Sequence, residues 1–279
     1  MVLTGVVLAI LSPGDGSGGF GDRIAILEID GIIADDGEVL EQIREYRDDA
    51  RVRGYVVEIN SPGGVVGPSQ SIYRELKRLR DEGIPVVASI GAVGASGGYM
   101  VALGADSILV LPGTLTGSIG VVMELPNAAE LMDKVGVSVE VVKSSEHKDL
   151  GSPFRPLGEG DRALLDSLVQ DVYRQFVDVV VEERGLTREE VLAVADGRVI
   201  SGQQAVARGL VDGIGNLTDA LGVAGRMAGL SDDPDVVRPR EERPTILDVL
   251  LARTPLGRLG EFAALGDGQT PRLKYVIPW

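Results

Sequence analysis

Between residues 23 and 111 the chain repeats one pattern, a short apolar run followed by a stretch of helical spacing or a glycine-rich loop. Residues 23–30 alternate into an apolar strand, and residues 39–51 place Val39, Leu40, Ile43 and Tyr46 at helical spacing. Residues 54–59 form a second strand pattern. Residues 69–80 carry Ile72, Leu76 and Leu79 on one helical face. Residues 85–90 predict a third strand, 96–103 a short buried helix and 107–111 a fourth strand. A helix between two strands returns the chain to the same end of the sheet. The alternation therefore predicts βαβ units and an α/β fold with a mostly parallel sheet.

Beyond residue 111 the helical share grows. Residues 125–135 are expected to be helical and 138–142 to form another strand. Residues 158–184 predict a long helix with Leu164, Leu165, Leu168, Val172, Phe176 and Val179 on its inner stripe. Helices follow at 187–194, 201–208 and 217–228. Thr187 with Glu190, and Ser201 with Gln204, have capping-box spacing. Residues 231–244 turn polar, charged and proline-rich, as an exposed connector would. Residues 246–265 suggest a helical tail, and 272–279 an extended apolar strip. The expected organisation is an N-terminal segment over 1–22, one catalytic-size domain over 23–230 and a connector with a tail over 231–279.

The chain has 279 residues, enough for a sizeable core. Its 42 acidic and 27 basic residues leave a net charge of −15, which argues against nucleic acid as the partner. The absence of cysteine excludes disulfides and thiolate metal sites. Residues 1–11 are apolar. Eleven helical residues span only about 16 Å, roughly half a bilayer core, so the stretch reads as the outer half of a membrane anchor whose beginning is missing. Residues 12–21 follow as a flexible linker. No basic flank orients the anchor.

Two motifs could carry chemistry. Asn60-Ser61-Pro62-Gly63-Gly64 lies between a strand and a helix. A turn there would present backbone N–H groups to an oxyanion. It lacks the Gly-Lys-Ser/Thr of a phosphate loop, and an ordinary strand-to-helix turn would look the same. Ala95-Ser96-Gly97-Gly98-Tyr99 delivers a hydroxyl at the head of a buried apolar segment. Ser96 is either a nucleophile, with the Gly97 N–H as a second oxyanion donor, or a helix cap. A nucleophilic serine needs a base. His147, the one histidine, is followed directly by Lys148, and in regular structure their side chains diverge, so at most one faces the site. Lysine serves as a base only where burial makes it neutral.

Taken in order, these motifs continue with Leu115-Thr116-Gly117-Ser118-Ile119-Gly120, His147-Lys148-Asp149, Ser152-Pro153, Ala195-Asp196-Gly197-Arg198 and Gly209-Leu210-Val211-Asp212. The series resembles the signal peptide peptidase A family, short form. These are serine peptidases of the Clp/crotonase superfamily, and the likeness runs from about residue 23 to 228. The resemblance implies a ββα spiral with C-terminal helices and a Ser–Lys dyad. It places the nucleophile at Ser96, the general base at Lys148, the lysine-orienting hydroxyl at Ser118 and the oxyanion hole at Gly63, Gly64 and Gly97. No metal or cofactor is implied. Lys148 must lose its proton, so Glu146 and Asp149 are expected to point away from its ammonium.

The resemblance further implies hydrophobic peptides, chiefly signal-peptide remnants, as substrates at a membrane. It also implies a ring-shaped homo-oligomer, an octamer, with the dyad completed between subunits. Three rivals share the fold: a stomatin-cleaving-type membrane protease, a crotonase-type acyl-CoA enzyme and a catalytically inactive scaffold. The 52-residue step from Ser96 to Lys148 and the downstream Asp196-Gly197-Arg198 favour signal peptide peptidase A.

Overall fold

The apolar runs at 23–30, 54–59 and 85–90 become strands of one sheet. A computed structural model describes residues 21–239 and 274–276 of the protein. The expected alternation appears as β1 (Arg23–Ile33), α1 (Gly37–Asp48), β2 (Val52–Val65), α2 (Val66–Asp81), β3 (Val86–Ala95), α3 (Gly97–Ala102) and β4 (Ser107–Val110). After β5 (Leu115–Gly117) come α4 (Ala129–Lys134), α5 (Glu159–Arg184), α6 (Arg188–Leu192), β6 (Val199–Ser201), α7 (Gly202–Ala207), β7 (Gly213–Ile214), α8 (Leu217–Met227), β8 (Asp235–Val237) and β9 (Lys274–Val276).

The strands run β6-β5-β3-β2-β1-β8, with β4 and β7 branching from β3 and β9 lying on β2. All pairings are parallel except β5 with β6 and β2 with β9. The fold is α/β with a mostly parallel sheet, of the Clp/crotonase type. Ile24 to Leu27 and Tyr55 to Val57 are buried without alternation, because helices cover both faces of the sheet. One face packs against α2, α3 and the distal half of α5. On the other, Ile24, Ile26, Val56 and Val87 meet Ala220 and Ala224 of α8.

Both expected capping boxes form. Thr187 Oγ1 accepts from the Glu190 N–H and Ser201 Oγ from the Gln204 N–H. The connector starts inside the sheet rather than outside it, since β8 pairs with β1. The expected helix at 246–265 and the apolar segment at 1–11 lie outside the described residues.

Two expectations over the middle of the chain fail. Residues 138–142 do not form a strand, and Val137, Val139, Val141 and Val142 are exposed. Their period-2 pattern is that of a strand, but among the described residues no strand pairs with them. The helix at 125–135 shrinks to α4, and no residue from 120 to 158 is buried. The inner stripe of α5 is also shorter than expected. Leu164 and Leu168 are exposed, whereas Val172, Phe176, Val177 and Val180 enter the core. Val121 still packs on the core and Val122 pairs with Lys274, but the segment from Leu125 through the first turns of α5 is an arm without a buried residue. The far end of α5 is fixed by charge as well as packing. Glu183, almost fully buried, accepts from Tyr73 Oη and Arg80 Nη2 and pairs with Lys77.

Candidate active site

Ser96 caps the wholly buried helix α3 with φ 53° and ψ −114°, a left-handed conformation that a side chain rarely adopts. Strain of this kind persists only where the surroundings impose it. Here they do. The Ser96 N–H donates to the Gly117 carbonyl at 2.8 Å, its own carbonyl accepts from Met100, and Tyr99 Oη donates to the Leu210 carbonyl at 2.7 Å. Burying Tyr99, Met100 and Val101 contributes roughly 1.5–3 kcal/mol each, which offsets the local cost.

Among the described residues Ser118 is the other non-glycine residue with a positive φ, 50°. The β3–β5 register explains why the two serines are neighbours. Ala95 pairs with Gly117, so Ser96 and Ser118 are each the next residue beyond the same rung. The Ser118 N–H donates to the Arg198 carbonyl at 2.8 Å, and the Gly197 N–H to the Ile119 carbonyl at 3.2 Å. The Asp196-Gly197-Arg198 turn is thereby a strut for Ser118. A cavity of about 410 Å³ opens beside it, lined by Ser118, Val122, Gln170, Tyr173 and Asp196.

Pro62-Gly63-Gly64 is not a free turn, as expected from its residues, but the end of β2. A register shift between Asp30 and Ile32 lets β1 follow it, so that Ile32 and Ile33 pair with Gly63 and Gly64. On the other side β9 pairs antiparallel with Gly63–Val65. The backbones approach closely because glycine has no Cβ. A Cβ on Gly63 would lie 2.0 Å from the Tyr275 carbonyl oxygen and 2.7 Å from the Gly97 nitrogen. One on Gly97 would lie 3.0 Å from the Gly64 nitrogen and 2.7 Å from Ser69 Oγ. The three glycines expected to form an oxyanion hole are therefore in mutual contact next to Ser96. The Gly63 N–H is engaged with Ser61 Oγ at 3.1 Å.

Lys148 lies elsewhere. It sits in an exposed 3₁₀ turn, Glu146–Asp149, on the arm. Among the described residues no hydrogen bond or ion pair links it to Ser96 or Ser118. His147, on the same turn, is half exposed, with Nδ1 3.9 Å from Asp161 Oδ1. The Asp149 carboxylate faces Lys143 and Arg155. One chain thus brings together Ser96, Ser118, Gly63, Gly64 and Gly97, but leaves Lys148 apart.

Sequence reasoning missed several supports. Thr116 Oγ1 donates to the Gly94 carbonyl at 2.7 Å and Thr114 Oγ1 to the Gly91 carbonyl at 2.6 Å, pinning β5 to the strand that leads into Ser96. Their alternation, Thr114 and Thr116 around Leu115, was the available signal. Thr116→Val should lower stability by about 1 kcal/mol, read from a denaturant midpoint, and depress activity more than that loss explains. Tyr275 was missed as well. It is fully buried, its ring 4.6 Å from that of Phe176, and short strand patterns at a chain's end carry no partner information.

Residues 78–231 match the family described as peptidase family S49. The chain is 41% identical over 258 residues to a Synechocystis sp. protein named as a candidate protease, covering 91% of this chain and 90% of that one. It is 36% identical over 212 residues to an Enterococcus faecium protein named as a candidate signal peptide peptidase SppA, covering 71% of this chain and 62% of that one. Identity to the Arabidopsis thaliana protein "Serine protease SPPA, chloroplastic" is 34% over 209 residues, covering 75% of this chain and 31% of the relative.

Proposed function

The chain belongs to peptidase family S49 and is a serine peptidase, and we propose that it cleaves through a dyad of Ser96 and Lys148. The observation that carries this reading is the strained, buried Ser96 at the head of α3 with Gly63, Gly64 and Gly97 packed around it. Neutral Lys148 takes the Ser96 proton as Oγ attacks the scissile carbonyl. The oxyanion rests on backbone N–H groups of Gly97 and of Gly63 or Gly64. Lys148 passes the proton to the leaving amine, then deprotonates the water that releases the acyl group. Ser118 Oγ orients the lysine.

In this reading the dyad is completed between subunits of a ring-shaped octamer. Two features support that assembly. The arm bearing Lys148 exposes Val135, Val137, Val139, Val141, Val142 and Phe154, and its strand-like stretch has no paired strand among the described residues. The cavity beside Ser118 is open to a side chain from outside. Substrates are short hydrophobic peptides, signal-peptide remnants among them, as the name of the Enterococcus relative suggests. A membrane address rests on residues 1–11. Among the described residues no helix is long and apolar enough to cross a membrane.

A serine-directed acylating probe tests the dyad. Labelling should fall on Ser96 and vanish in Lys148→Ala. Full labelling of Lys148→Ala with loss in His147→Ala would overturn the assignment, and an unlabelled wild-type chain would favour the inactive scaffold.

A further inference from the structure

The turn that carries Lys148 is held by residues to which the proposed chemistry gives no part. Nothing in Glu146–Asp149 is buried, so packing does not fix it. Charge does. The Asp149 carboxylate, only 10% exposed, accepts from Arg155 Nε at 3.0 Å, Arg155 Nη2 at 3.1 Å and Lys143 Nζ at 2.7 Å. Lys143 Nζ also donates to the Glu146 carbonyl at 2.8 Å, bridging both ends of the turn. The other edge of the Arg155 guanidinium is bonded to Asp161, in the first turn of α5. Asp161 in turn accepts from the Gly158 N–H. A planar, two-sided donor thus ties the turn to a helix whose far half lies in the core.

The same contacts decide what charge lies beside Lys148. The titratable and charged groups around the turn are Lys143, Glu146, His147, Asp149, Arg155 and Asp161. Asp149 follows Lys148 directly, and a carboxylate without partners there would favour an ammonium on the lysine. Arg155 first, then Lys143, hold the Asp149 carboxyl down to about 2 and commit it as their counter-ion.

We propose that Arg155, acting through Asp149 and anchored on Asp161, is the positioning residue for Lys148, setting where its amine stands and shielding it from the adjacent carboxylate. This rests on the reading of Lys148 as the general base. Arg155 touches neither substrate nor reacting atoms, so its loss acts on the rate and not on binding.

The test uses the full-length enzyme with a hydrophobic fluorogenic peptide and the acylating probe. Arg155→Ala should lower kcat by ~10- to 100-fold with KM little changed, as a small misplacement of a catalytic group does. Its pH–activity profile should move to higher pH, because removing the guanidinium takes a positive charge, and the main counter-ion of Asp149, away from the turn. Asp149→Asn should lower kcat without that displacement, and Arg155→Lys should recover part of the rate. Unchanged kcat and pH profile in Arg155→Ala would overturn the proposal while leaving the dyad intact. Full activity of Lys148→Ala would instead remove the dyad on which it rests. If Arg155→Ala fails to fold, Asp149→Asn, which preserves shape, decides by the same rate measurement: wild-type kcat overturns the proposal.

Discussion

An equimolar mixture of Ser96→Ala and Lys148→Ala chains should recover about a quarter of wild-type peptidase activity, from two preparations that are each inactive. Each variant alone should lose ~10⁴-fold or more, because nucleophile and base act as a unit. The recovery follows from where the two residues sit. Ser96 is 1% exposed and locked into the body by β5 and α3, while Lys148 stands on an arm from which no residue is buried. If a neighbour's arm supplies the lysine, a working site needs the Ser96 of one chain and the Lys148 of another. Random assembly of equal amounts gives that pairing at about one interface in four. Tagged chains should show that the mixed oligomer forms. Mixed oligomers without activity would mean that the dyad closes within one chain, by folding the arm back. Ser96→Ala keeps its Cβ and the strained φ, so its melting temperature should stay near that of the wild type.

Gly63→Ala should be among the most damaging single methyls that the described residues could receive. The new Cβ would lie 2.0 Å from the Tyr275 carbonyl oxygen and 2.7 Å from the Gly97 nitrogen, both backbone atoms, at a φ of 106° that alanine avoids. Neither neighbour can yield by a rotamer change. The methyl would push β9 away from β2 and α3 away from the glycines, displacing the oxyanion donors. Losing one donor typically costs ~10²–10³ in rate, and the backbone strain and clash should lower stability by about 3 kcal/mol or more. Gly67→Ala, in the first turn of α2 with nothing within 4 Å of its Cβ, is the matched control. It should raise stability by about 0.5–1 kcal/mol and leave activity unchanged. Denaturant unfolding and peptide hydrolysis measured on both variants separate the two effects. Wild-type activity in Gly63→Ala would remove this segment from the site.

Much of this was legible in residue order. Val39 to Tyr46 and Ile72 to Leu79 announced their helices by spacing, and both capping boxes by a three-residue step. Ser96 and the glycine pair stood out because small residues flank them. The reading failed where a segment's state depends on something outside it. Val137, Val139 and Val141 alternate as a strand does, yet a strand needs a partner. Leu164 and Leu168 lie on the stripe of Val172 and Phe176, yet burial needs a neighbour at that height of the helix. Gly63 and Gly64 looked like a turn, because two glycines in sequence do not reveal that two other strands lie against them.

The sequence by itself determined the α/β class, the family and the candidate residues, because periodicity and ordered motifs are properties of neighbours along a chain. Only the tertiary structure decided that Ser96 and Ser118 both follow one rung of the sheet, and that Gly63 and Gly64 lie against Gly97. It alone decided that Lys148 stands apart on an arm held by Arg155 and Asp149. Strand register and close backbone approach are set by contacts between distant segments, and a local pattern is equally consistent with many such pairings.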